Sequence, residues 1–285
     1  MCRNDFYSPM TRAEILHHIQ EKLSVVSGKF ALPEAERILT FLFNCSRSEL
    51  YLPQQRELPA GISDKIQKII KRRVTDEPLA YILGSAYFYN KEFIVTPEVL
   101  IPRPDTEILV EEVLKNEKDG ICRFLDMGTG SGCIAAVLTE QNTAWKAVAC
   151  DISLSALNIA GKNCPKNVAL LCSDRLSAIK AVGFDFIVSN PPYIKSSVLP
   201  TLDKSVRGFE PLTALDGGPD GLEFYRYLST QAPPLLKTRG RIYCEIGFDQ
   251  SNNVPAIFEK SGWENISVTN DFGNRPRVLK AQKWN

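Results

Sequence analysis

Read from its apolar positions, the chain changes period near residue 84. Up to that point the spacing is helical. Thr11 with Glu14 forms a T-x-x-E capping box, and Ile15, Ile19, Leu23 and Val26 follow on one face. Pro33 opens a second predicted helix carrying Ile38, Leu39, Leu42 and Phe43, and Ser46 with Glu49 repeats the capping signature. Ile62, Ile66, Ile69 and Ile70 mark a further helix, and PLAYILG ends in a glycine suited to a helix C-terminus. A small helical bundle over residues 1–84 is the expectation. Residues 85–100 are rich in aromatic and β-branched side chains around a turn-prone Asn90-Lys91, which predicts a β-hairpin linking two domains.

After IPRPDTE (101–107) and a helix through residue 115, short apolar strands alternate with helices. RFLDMG, KAVACD, ALLCSD, FDFIVSN, RIYCEIG, ISVT and RVLKAQKW read as strands. The segments 131–141, 153–163, 222–237 and 250–261 read as helices. Such alternation predicts an α/β domain over 101–285, with a seven-stranded, mostly parallel sheet covered on both faces. The final two strands are joined by DFGNRP, too short for a helical crossover, so the last strand is expected to be antiparallel.

Composition narrows the class. With 44% hydrophobic and 24% charged residues the chain is globular, and no run reaches the roughly 18 apolar residues of a membrane span. The N-terminal MCRNDFYSPMTRAE lacks the apolar stretch of a signal peptide, which places the protein in the cytoplasm. Eight cysteines are scattered without metal-ligand spacing and are read as reduced, mostly buried thiols. The two histidines, His17 and His18, are adjacent in a predicted helix, which argues against a Ser-His-Asp triad or a histidine zinc site; no metal is expected. A net charge of +1 gives no footprint for stable nucleic-acid binding. Lys65, Lys68, Lys71, Arg72 and Arg73 are read as a solvated helix face.

Chemistry gathers at the strand ends. RFLDM runs into Gly128-Thr129-Gly130-Ser131-Gly132, where glycines let the backbone turn tightly and approach a ligand. The sixth position, a glycine in dinucleotide fingerprints, is Cys133, which counts against a nicotinamide oxidoreductase. The next strand ends at Asp151, about 20 residues on, where a carboxylate can take both hydroxyls of a ribose; the alternative is a helix N-cap. The third ends in Ser173-Asp174, on the side where an adenine would lie. The fourth stops at Asn190-Pro191-Pro192-Tyr193, where two prolines fix a rigid turn at the rim of the sheet. There a carboxamide, two backbone carbonyls and the ring of Tyr193 are held at the rim, and the plain alternative for Tyr193 is a turn aromatic packed on the sheet.

Together these strand ends resemble a Rossmann-like, class I S-adenosylmethionine-dependent methyltransferase, and Asn-Pro-Pro-Tyr resembles the motif of enzymes that methylate planar nitrogens. EPLAYILG, IPRPDTE, SNPPYI, EPLTALDGG, EIG (245–247) and NRPRV occur in the order seen in the HemK/PrmC family, which the chain resembles over nearly its whole length. The resemblance implies N5-methylation of the glutamine in the Gly-Gly-Gln motif of class-1 peptide chain release factors, with S-adenosylhomocysteine as product and the helical domain gripping the protein substrate. By position, Gly128 to Gly132, Asp151, Asp174, Arg175 and Asn190 would hold the cofactor, Asn190 to Tyr193 the glutamine amide, and Arg103 and Thr106 would line the pocket. Arg175 stands where family members often carry an aromatic, and a guanidinium can also stack on a ring. For Arg103 the residues alone offer an ion pair with Asp105 or Glu107. A monomer is expected. The alternatives are a DNA adenine-N6 or ribosomal RNA guanine-N2 methyltransferase, and a non-catalytic interaction protein on the same fold.

Overall fold

The computed structural model describes residues 11–52, 61–117, 120–180 and 183–284; Cys2 lies outside them. The chain divides into two compact units. The first holds the described residues up to Gly84 together with Lys204–Phe209, and the second holds the remainder.

In the first unit, helices α1 (Arg12–Ser27), α2 (Ala31–Phe43), α3 (Arg47–Leu50), α4 (Ile62–Arg73) and α5 (Leu79–Leu83) enclose Ile15, Ile19, Leu23, Ile38, Leu39 and Ile66, all fully buried. Both capping boxes form: Thr11 and Glu14 exchange bonds at the start of α1, Ser46 and Glu49 at the start of α3. Helix α2 begins two residues before Pro33, because a 3-10 turn at Gly28–Phe30 runs straight into it. The basic run on α4 is only partly a free face. Buried Arg73 grips Glu34 with two hydrogen bonds of 2.9 and 3.0 Å, and Arg72 pairs with Glu77, while Lys65, Lys68 and Lys71 are exposed.

The second unit opens with a hairpin, β1 (Ser85–Phe88) and β2 (Lys91–Ile94). Its two turn residues, Tyr89 and Asn90, both take left-handed conformations, as a tight two-residue hairpin turn requires. Phe88 and Phe93 bury themselves in the core of this unit. Next come α6 (Glu107–Asn116), β3 (Arg123–Met127), α7 (Cys133–Gln141), β4 (Lys146–Asp151), α8 (Leu154–Asn163), β5 (Val168–Cys172) and β6 (Phe184–Ser189). After α9 (Lys204–Arg207), which belongs to the first unit, the second continues with α10 (Glu223–Gln231), β7 (Leu236–Glu245), α11 (Asn253–Lys260), β8 (Glu264–Asn270) and β9 (Pro276–Gln282). Strand order is β5-β4-β3-β6-β7-β9-β8, with β9 antiparallel to both neighbours and the pairs from β5 to β7 parallel. Helix α10 stops at Gln231, short of the expected residue 237, because Pro233 and Pro234 cannot extend it. No helix among the described residues is long and apolar enough to cross a membrane.

Both sheet faces are covered, and alternate residues of each central strand feed opposite cores. Phe124, Phe186, Val188 and Tyr243 enter one; Leu125, Met127, Ile187 and Cys244 enter the other. Phe186 stacks on Phe124 at 4.8 Å and meets Trp145 and Tyr243 edge-on at 5.4 and 5.9 Å. Removing that ring leaves three aromatic neighbours facing a void. Phe186→Ala is therefore expected to cost about 3–5 kcal/mol, read as a lower midpoint of denaturant unfolding followed by tryptophan fluorescence.

Candidate active site

The sheet reverses direction of winding at β3, whose neighbours are β4 and β6, and the carboxyl ends of these strands are where an α/β sheet binds ligands. The glycine turn leaves β3 there. Gly128, Gly130 and Gly132 have φ of 72°, 54° and 81°, a region costly for other residues. A Cβ at Gly128 or Gly130 would point into open space, whereas one at Gly132 would lie 2.5 Å from Cys164 Sγ. The first two keep space clear for a ligand, and the third lets α7 pack closely on α8.

The turn is tied to the end of β4. Gly128 and Thr129 donate to the Cys150 carbonyl, and Gly130 donates to Asp151 Oδ2 at 2.9 Å. Asp151 Oδ1 accepts from Ser153 N–H, and the N-cap of α8 is Ser153, which accepts from Ala156. The N-cap alternative for Asp151 thus falls to Ser153. Beneath the turn Asp126 is fully buried, with Thr129 Oγ1 donating to Oδ2 at 2.6 Å and Oδ1 without a hydrogen-bond partner. Burial pushes its carboxyl up to about 7, against the lowering effect of the Thr129 hydroxyl.

Gly128 to Ser131, Asp151, Asp174, Arg175 and Asn190 all line one cavity of about 650 Å³, a size suited to a small-molecule cofactor. Arg175, itself in a left-handed conformation, lays its guanidinium over Phe224 at 4.6 Å and Tyr227 at 4.9 Å and pairs with Glu223. The ring it stacks on thus comes from α10, and Phe224 adds an aromatic wall to the cavity. Nothing near Arg175 in the sequence signals this.

On the other wall stands the proline turn, with Asn190, Pro191 and Pro192 facing the cavity. Residues 215–221 strap it down: Ile194 N–H donates to Leu215 O, Gly217 N–H to Ile194 O, and Ser196 N–H to Gly218 O. A Cβ on Gly217 would meet Tyr193 Cα at 2.7 Å, and one on Gly221 would meet Tyr193 O at 2.4 Å. Buried Gln250 donates to the carbonyls of both Tyr193 and Gly221 and accepts from Gly247 N–H. Tyr193 is not among the cavity-lining residues; its ring packs against the second core and its hydroxyl donates to Glu245 Oε1 at 3.1 Å.

Asn190 Nδ2 donates to Thr106 Oγ1 at 3.1 Å, and Thr106 Oγ1 donates to Glu245 Oε2 at 2.6 Å. Glu245 is 1% exposed. Burial raises its carboxyl's pKa, opposed by Thr106, by the charge of Arg277 and by Tyr193. Arg103 and Thr106 line the cavity. Arg103 pairs with buried Glu210, which also accepts from Ile101 N–H, and so with neither Asp105 nor Glu107. Asp105 is held by Arg277 at 3.0 Å and Glu107 accepts from Tyr89 N–H at 2.8 Å. Glu210, Glu245 and Gln250 are the site residues that sequence reading left without roles. The first two stand in the quoted EPL and EIG segments, but no spacing rule pairs them with their targets. All described cysteines are free thiols, and no group of three or more metal-ligating side chains gathers among the described residues.

A glycine turn, an acid, a polar strand end and an Asn-Pro-Pro turn, set around one cavity on a sheet of this order, define a class I methyltransferase. Solved structures share the fold: a methyltransferase from Pyrococcus furiosus aligns with TM-score 0.53 at 19% identity, covering 75% of this chain and 98% of that one. The hMettl16 catalytic domain aligns at 0.52 and 18% identity, over 79% and 83%. A model of the PrmC N-terminal domain matches residues 14–84, and one of the methyltransferase small domain matches 104–202. The protein named release factor glutamine methyltransferase from Thermodesulfovibrio yellowstonii is 37% identical over 92% of this chain and 97% of its own. That from Moorella thermoacetica is 39% identical over 96% and 99%. The chain belongs to the release factor glutamine methyltransferase family.

Two outcomes follow from this geometry. Gly221→Ala forces a methyl toward the Tyr193 carbonyl from a left-handed position, and is expected to destabilise the protein by about 1–3 kcal/mol and to lower turnover by displacing the proline turn, measured by thermal unfolding and steady-state kinetics. Asp126 has a folded pKa raised from 3.8 to about 7, so its protonated form is the one the fold favours. The stability it contributes is full below pH 4 and is lost as pH rises through 7. Asp126→Asn is expected to gain in midpoint over the native protein more at pH 8 than at pH 5, by roughly 2–4 °C for each kcal/mol of penalty removed.

Proposed function

We propose that this protein transfers the methyl group of S-adenosylmethionine to the side-chain amide nitrogen of the glutamine in the Gly-Gly-Gln motif of class-1 peptide chain release factors. It does so as a cytoplasmic monomer without a stable nucleic-acid partner. The observation that carries the reading is the proline turn at the end of β6, where Asn190 and Pro191 both line the cavity. Asn190 spends its Nδ2 on Thr106, which leaves Oδ1 as the acceptor. The family membership agrees in substrate class.

The cofactor, when bound, supplies an electrophilic methyl on a sulfonium. The cavity fits it: Gly128 and Gly130 leave open space, Asp151 offers its carboxylate at the end of β4, and Asp174, Arg175 and Phe224 form the far wall, where an adenine would sit. The work left to the chain is to make an amide nitrogen reactive. Its lone pair is delocalised, and two acceptors, Asn190 Oδ1 and Pro191 O, draw its N–H bonds out of the amide plane while aligning nitrogen with the methyl. A turn already rigid before substrate arrives does this without reorganisation. Methylation acidifies the nitrogen, and its proton passes to water, so no histidine base is needed.

The direct test is mass spectrometry of the Gly-Gly-Gln peptide from a recombinant release factor incubated with this protein and S-adenosylmethionine, with a Gln→Ala substrate as control. One added methyl on that glutamine supports the reading; none, from protein that binds the cofactor, overturns it and directs the search to DNA and ribosomal RNA. The two walls should separate kinetically. Asn190→Ala is expected to keep cofactor binding and lose roughly 100-fold in kcat. Asp151→Ala is expected to weaken cofactor binding by roughly 10-fold or more, measured by calorimetry.

A further inference from the structure

We propose that Glu245 is a positioning residue: acting through the Thr106 hydroxyl, its carboxylate fixes the Asn190 carboxamide with Oδ1 turned toward the substrate amide. The inference rests on Asn190 being the acceptor for that amide.

Hydrogen counting carries the argument. A threonine hydroxyl has one proton to give. Thr106 gives it to Glu245 Oε2 at 2.6 Å, so toward Asn190 it can only accept. Asn190 must therefore present Nδ2 to Thr106, as it does at 3.1 Å, which turns Oδ1 away from that hydroxyl in a residue that lines the cavity. The other carboxylate oxygen is taken up by Tyr193 O–H at 3.1 Å, so both oxygens accept and neither has a bond that calls for a proton. The backbone holds the acid in place as well: its own carbonyl accepts from Tyr225 O–H at 2.8 Å. Arg277 on β9, itself held by Asp105 and Asp271, lowers the carboxyl's pKa by its charge.

A buried carboxylate is costly compared with an amide. Its use here is that it is an acceptor only. A glutamine at 245 could instead donate to Thr106, which would free the threonine proton to turn to Asn190 Oδ1. The Asn190 amide could then flip and meet the substrate N–H groups with N–H groups of its own. A near-isosteric change two hydrogen bonds away would convert an acceptor into a donor.

The test uses the full chain with four variants, Glu245→Gln, Thr106→Val, Thr106→Ser and Asn190→Ala. Turnover on a release factor, the dissociation constant of S-adenosylhomocysteine by calorimetry, and the 15N–1H resonances of the Asn190 side-chain amide, assigned by their loss in Asn190→Ala, are read together. E245Q is expected to lower kcat by roughly 100-fold and T106V by about 10-fold, with S-adenosylhomocysteine affinity within about twofold and the Asn190 resonances shifted in both. Thr106→Ser, which keeps the hydroxyl, is expected to recover most of the T106V loss. Near-native kcat in E245Q beside a crippled Asn190→Ala would overturn the relay while sparing the role of Asn190. A fully active Asn190→Ala would instead sink the functional reading. Cofactor affinity falling in step with kcat in T106V, which keeps the buried charge, would assign these residues a merely structural role and overturn the proposal.

Discussion

Four segments of the chain meet at one buried glutamate. Glu245 ends the central strand β7 and receives Thr106 from the segment before α6 and Tyr193 from the proline turn, while its backbone carbonyl receives Tyr225 from α10. Of these three residues, Thr106 lines the cavity, and its contact with Glu245 spans 139 residues of sequence. A charge with so little solvent survives only when its lone pairs are filled and a cation is near. Thr106, Tyr193 and Arg277 meet those conditions here. The identity of the residue at this point therefore constrains the others.

The proline turn shows how rigidity is assembled from weak parts. Proline restricts the backbone torsions but cannot place the turn against the sheet. That is done by three backbone hydrogen bonds to the strap, by Gln250, and by two glycines whose missing Cβ atoms let main chain lie against main chain. The glycine turn after β3 works in the opposite sense. Two of its glycines face empty space and the third is pressed against α8, so one short segment both opens the cavity and closes the helix packing behind it. Asn163, at the end of α8, joins this arrangement to the hairpin, donating to Ser131 O and exchanging bonds with the backbone of Ile94.

Polarity around the cavity follows a division of labour. The proline-turn wall holds the Asn190 carboxamide, whose Nδ2 donates to Thr106, while the opposite wall carries a ring and a guanidinium already stacked together. Arg175 is held by Phe224, Tyr227 and Glu223, so its contribution is a preset surface and not a searching side chain.

The strand ends were legible in the sequence because parallel strands buried on both faces read as apolar runs, and the residues that break each run fall at the carboxyl edge. Glycine turn, Asp151, Asp174 and Asn190 were found that way, as was the antiparallel last strand, from a connection too short to cross over. Local rules also found both capping boxes. They failed where two local signals competed, as at the end of α10, where apolar periodicity ran on past prolines that stop the helix. What the sequence could not supply was pairing. Thr106 and Glu245 lie 139 residues apart and Arg103 and Glu210 107 apart, so no periodicity links them. Sequence alone determined which residues are acids, amides and glycines at the strand ends. Only the tertiary structure decided which donor each acceptor meets, because hydrogen-bond partners are chosen by proximity after the sheet has closed.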